Sequence, residues 1–122
     1  MDNTHTILDK YPFLTLLKYG GREYLGIIQN RDDTITSMYD LESIKNDEDR
    51  VRFLMFGDQW WWESNRCIPI NLFLKSEWSE FRYCLKTFNS KDVEIIKGPQ
   101  VSLKELAQKK TKKRSIFLVK KI

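Results

Sequence analysis

The chain has 122 residues, of which 41% are hydrophobic, 13% aromatic and 31% charged, and its formal net charge is +4. That is one domain's worth of sequence over 1–122, too apolar for a disordered chain and long enough to close a core without metal or disulfide staples. No apolar run approaches the roughly 18 residues of a membrane-spanning helix, and the polar start MDNTHTILDK lacks the apolar stretch of a secretory signal, so a cytoplasmic protein is expected.

The first ten residues read as loose or as a short helical turn. Three strands then follow. Phe13 to Tyr19 is apolar with β-branched Thr15, Gly20-Gly21 supplies a hairpin turn, and Arg22 to Gln29 makes the second strand. Asn30 to Asp33 forms the next turn, and Thr34 to Asp40 alternates in the manner of a half-buried strand. At Asn46 the period changes. Asn46 caps a helix with an acidic first turn, Asp47-Glu48-Asp49; Val51, Leu54 and Met55 fall on one face, and Gly57 is placed to end it. Gln59 to Ser64, with the triplet Trp60-Trp61-Trp62, reads as a strand. The clearest helix runs from Leu74 through Trp78, Phe81 and Leu85 to Phe88, apolar residues spaced 4, 3, 4, 3. Asp92 to Lys97 is a strand, Gly98-Pro99 a turn and Arg114 to Lys120 a final strand. Residues 101–110 fit two patterns, a capping box on Ser102 and Glu105 or an alternation through Val101 and Leu103.

Charge is unevenly distributed. Residues 1–96 hold 12 Lys+Arg against 16 Asp+Glu, and residues 97–122 hold 9 against 1. The basic segment 104–122 includes Lys109, Lys110, Lys112, Lys113 and Arg114, a cluster suited to nucleic-acid phosphates. Cys67 and Cys84 show no CxxC spacing and read as reduced, buried thiols. With a single histidine, His5, the sequence offers neither a zinc ligand set nor a Ser/His/Asp or Cys/His arrangement, and no Gly-rich phosphate loop is present. No cofactor and no catalytic residue is expected. The Trp triplet reads as core or interface packing, because Trp supplies a large buried area.

The run Gly21-Arg22-Glu23-Tyr24-Leu25-Gly26, followed by Ile28 and Asp32, resembles the first motif of the Sm/LSm family of small RNA-binding barrels. Val93-Glu94-Ile95-Ile96-Lys97-Gly98 is the nearest match to the family's second motif, with Lys97 where the family has Arg. The resemblance implies a mainly β, SH3-like small barrel of the Sm-like type, with residues 43–90 as a helix-containing insertion. Thr34 and Thr36 occupy the positions at which the family stacks and hydrogen-bonds a base, and neither is a stacking platform. The stretch from Gly21 to Ile70 also resembles small marine phage proteins of the cyanophage type, which would place the chain in a host cytoplasm.

By this resemblance, edge strands of neighbouring subunits pair to close a homo-oligomeric ring of roughly five to seven copies. Arg31, Asp32, Thr34, Thr36 and Lys97 would line its central site, with the 109–114 cluster adding phosphate contacts. The expected function is non-catalytic binding of RNA or single-stranded nucleic acid. Two alternatives stand beside it. Tyr24 to Asn30 is similar to a strand of MazF-type endoribonuclease toxins, in which case Arg22 or Arg31 would act with Thr34 or Thr36 on the phosphodiester. The other is a phage protein-interaction module that docks through the Trp-rich region.

Overall fold

A computed structural model describes residues 3–65 and 78–100. A short helix α1 (Asn3–Lys10) leads into strands β1 (Thr15–Tyr19), β2 (Arg22–Arg31) and β3 (Ile35–Asp40). A 3-10 turn, Leu41–Ser43, precedes the long helix α2 (Asp47–Asn65). A 3-10 segment, Trp78–Cys84, then runs directly into β4 (Leu85–Asn89), and the turn Ser90–Asp92 joins it to β5 (Val93–Lys97). All strand pairs are antiparallel, in the order β4-β3-β2-β1-β5. The β1–β2 hairpin turns on Gly20 and Gly21 at φ 60° and 79°, as the paired glycines predict. None of the described helices is long and apolar enough to cross a membrane.

β4 and β5 lie at opposite ends of this order, yet only Ser90–Asp92 connects them. Were the sheet flat, four inter-strand gaps would separate them by about 19 Å, whereas a 3-10 turn advances only about 2 Å per residue. The sheet therefore curls. Its concave face closes over a small inner core of Leu17, Ile28, Met38 and Phe88, bordered by Tyr19, Tyr24, Val93 and Ile95, so that all five strands contribute. Phe88 of β4 reaches across this interior to Tyr19 and Tyr24, with ring centroids 4.8 and 4.9 Å apart. Among the described residues β4 and β5 are not paired with each other, so the sheet curls without closing.

At Gly26 the neighbouring strand leaves no room for a side chain. A Cβ there would stand 1.7 Å from the Tyr39 carbonyl oxygen on β3, so any other residue forces the two strands apart. One rung from this contact, buried Asp40 ends β3. Its carboxylate accepts from the Glu42 amide and the Ser43 hydroxyl, and it lies 3.6 Å from Lys86 Nζ on β4.

The convex face is covered by the helices and the Trp78–Cys84 segment. Leu16, Leu25, Ile27 and Tyr39 of the sheet pack against Leu8, Phe53, Trp60, Trp78 and Phe81. Asn46 does cap α2, its Oδ1 accepting from the amides of Glu48 and Asp49. Three expectations for this region are corrected. Gly57 does not end the helix; it lies at the contact with the sheet, where a Cβ would meet the Phe13 ring at 2.4 Å. The buried face is Phe53, Gly57 and Trp60, while Val51 and Met55 face outward. The Trp triplet is helical, not extended, so successive rings turn by about 100°, leaving Trp60 buried, Trp61 half-buried and Trp62 outside.

The expected Leu74–Phe88 helix is also corrected. Trp78 and Phe81 share the outer core from a 3-10 segment, but Leu85 and Phe88 belong to a strand. A spacing of three puts them on opposite faces of β4, Leu85 toward the outer core and Phe88 inside. Leu74, Cys67 and the Arg114–Lys120 strand lie outside the described residues.

Two outcomes follow. Gly26→Ala is expected to lower unfolding stability by about 3 kcal/mol, measured by urea denaturation. Cys84, buried with its Sγ 3.0 Å from the Phe81 carbonyl oxygen, has its thiol pushed up from 9.0 to about 11, first by burial and then by the Asp40 charge. Because the folded state holds this proton more tightly, its contribution is complete below pH 9 and is lost as pH rises toward 11. Thermal melts should therefore fall across that window, and Cys84→Ala should flatten the fall.

Candidate nucleic-acid interface

The β2–β3 loop is organised by one carboxylate. Asp32 Oδ1 accepts from the Thr34 amide at 2.8 Å, the Thr34 hydroxyl at 2.9 Å and the Ile35 amide at 2.7 Å, while the Asp32 amide donates to the Ile35 carbonyl at 3.0 Å. This is a closed loop that binds its own donors. Asp32 and Thr34 are both exposed, and half-buried Arg31 ends β2 beside them.

The turn between β4 and β5 is fastened to this loop. The Ser90 amide donates to the Thr34 carbonyl at 3.0 Å, and the Ser90 and Thr36 hydroxyls stand 2.8 Å apart. Thr36 is fully buried, so it joins the two segments and presents no surface to a base. Lys91 follows Ser90 and is exposed. Neither Ser90 nor Lys91 was expected at the site, although Asn89-Ser90-Lys91-Asp92 is a polar, turn-forming quartet between two apolar runs. The helical spacing from Leu74 to Phe88 masks that hairpin signal in the sequence.

The structure thus brings Arg31, Asp32, Thr34 and Thr36 together and adds Ser90 and Lys91. It does not bring Lys97 to them. Lys97 ends β5 a strand's length from the turn, roughly 13 Å along the chain, opposite Leu16 and 3.2 Å from Asp9 of α1. Val93 to Gly98, the nearest match to the second motif, holds β5, the last strand among the described residues, and the connection near the loop is the one before it. Lys109, Lys110, Lys112, Lys113 and Arg114 lie outside the described residues.

The surface formed by loop and turn is polar and carries two cations, Arg31 and Lys91, beside Asp32, Asp33 and Asp92. It can contact phosphates and sugar hydroxyls, and among the described residues loop and turn offer no aromatic platform. Arg22, the other arginine of the strand, sits at the opposite end of ten-residue β2, with its guanidinium 5.3 Å from the Tyr24 ring centroid. Among the described residues no group of His, Cys, Asp and Glu is arranged to hold a metal ion.

Asp32→Ala removes three acceptor contacts at an exposed loop and is expected to cost about 1 kcal/mol. The amides of Thr34 and Ile35 should exchange faster with deuterium while those of Leu17 and Ile28 keep their protection.

Comparison with known proteins finds no match to a family model, to a curated protein or to a solved structure.

Proposed function

We propose that this chain binds RNA or single-stranded nucleic acid without catalysis, as a small barrel of the Sm-like type that assembles through its sheet edges into a ring. The observation that carries the reading is the joint between the β2–β3 loop and the β4–β5 turn, made by Ser90 with Thr34 and Thr36. It puts the loop with Arg31 and the turn with Lys91 on one surface of a curled sheet. Support also comes from the sheet order, which leaves β4 and β5 each with an edge unpaired among the described residues, the arrangement that edge-to-edge assembly needs.

In this reading Asp32 and Thr36 are positioning residues and Arg31, Thr34 and Lys91 make the contacts. The basic run Lys109 to Arg114 supplies further phosphate neutralisation. Repetition around a ring multiplies each of these charges, so a modest number per subunit yields a strong local field.

A second reading, a protein-interaction module, has its own observation. Val51, Met55 and Trp62 lie along one outer stripe of α2 and are 56%, 64% and 57% exposed. Trp side chains on such a stripe are common anchors of protein interfaces.

Light scattering on the purified protein, with and without a single-stranded oligonucleotide, separates the two. The nucleic-acid reading expects a closed oligomer that takes up the oligonucleotide in low salt and releases it steeply as salt rises. Neutralising Lys109 to Arg114, or Arg31 with Lys91, should weaken uptake and reduce the salt dependence. A monomer that ignores the oligonucleotide at low salt overturns this reading and leaves the α2 stripe as the better guide.

A further inference from the structure

A separate concavity of about 430 Å³ opens where the convex face of the sheet meets the Trp78–Cys84 segment. Its floor comes from three strands, with Asn30 of β2 opposite Ser37 of β3 and Leu85 of β4 opposite Tyr39 of β3, and its wall from Trp78, Ser79 and Arg82. Gln29 and Asn30 both line it. In a regular strand consecutive side chains point to opposite faces. Here the β2–β3 register shifts between Ile28 and Asn30, and that irregularity lets two neighbouring amides face one cleft.

The chemistry of the lining is selective. Two carboxamides each offer a donor and an acceptor, the pairing that matches the edge of a nucleobase. Arg82 is exposed and, among the described residues, is the only charged residue of the lining. Tyr39, stacked on Trp78 at 5.4 Å between centroids, gives the apolar back. Trp78 is 2% exposed and closes the wall with its ring. The volume lies in the range of small-ligand pockets and suits one nucleotide.

The geometry points to this cleft as a site for a single adenine nucleotide, the base read by Gln29 and Asn30 and the phosphate met by Arg82. It is distinct from the loop-and-turn surface and does not rest on ring assembly. The nucleotide comes either free or as one residue of a bound strand, and both share this chemistry.

The test is calorimetric titration of the full chain with adenosine monophosphate, with ribose 5-phosphate and with a short oligoadenylate, beside Arg82→Ala and Asn30→Ala. Binding of the monophosphate but not of the sugar phosphate, weakened about tenfold or more by either substitution, supports a free nucleotide. Binding of oligoadenylate alone, with the same sensitivity, supports a nucleotide within a strand. Arg82 is exposed, so Arg82→Ala keeps the fold, and circular dichroism of both variants checks this. No binding of either adenylate up to about 1 mM, or binding that both variants leave unchanged, overturns the proposal. An oligonucleotide bound with full affinity by these variants and lost on neutralising Arg31 and Lys91 would overturn this site alone and leave the loop-and-turn reading intact.

Discussion

The three-residue turn between β4 and β5 is the constraint on which the rest of the structure depends. Two strands at opposite ends of a five-stranded order can be joined so briefly only if the sheet bends until its ends approach. Phe88 makes that bend favourable, because it finds Tyr19 and Tyr24 across the concave face and loses water in doing so. Burying a Phe side chain is worth roughly 1.5 to 3 kcal/mol, and pairs of aromatic rings add to that. Gly26 makes the bend sterically possible, since the strands meet there with no room for a side chain.

Curvature decides which residues are available to a ligand. Because the ends of the sheet approach each other, Ser90 reaches Thr34 and Thr36, and two segments 54 residues apart in sequence become one surface. Within that surface the residues divide by how they are bonded. Asp32 and Thr36 hold loop and turn in place, whereas half-buried Arg31 and exposed Lys91 are the cations beside them. A polar residue at a motif position can thus belong to the architecture of a site without touching what binds there.

The convex face shows the opposite logic. Its apolar strip is covered by α2, whose Gly57 lets the helix press on Phe13 and Ile27. The cover is incomplete where the β2 irregularity turns Gln29 and Asn30 outward together, and the polar cleft lies there. One extra residue in a strand, costing a rung of the ladder, gives the sheet a second concavity of different chemistry from the first.

Local chemistry was legible in the amino-acid sequence alone. The Gly20-Gly21 turn, three consecutive strands, the Asn46 cap with its acidic turn and the burial of Cys84 all follow from residues acting on near neighbours. The Asp32 loop did too, since an Asp two residues before Thr34 can reach its amide. What the sequence could not settle was which of two periods a short apolar run obeys. Trp60-Trp61-Trp62 has strand propensity but continues a helix already nucleated at Asn46. Leu85 and Phe88 have helical spacing but lie in a strand, because the free edge of β3 offers a ladder of backbone hydrogen bonds. The grouping of Ser90 and Lys91 with Arg31, and the separation of Lys97 from them, depend on the curl of the whole sheet. That curl is the sum of contacts between distant residues, and no window of sequence contains it.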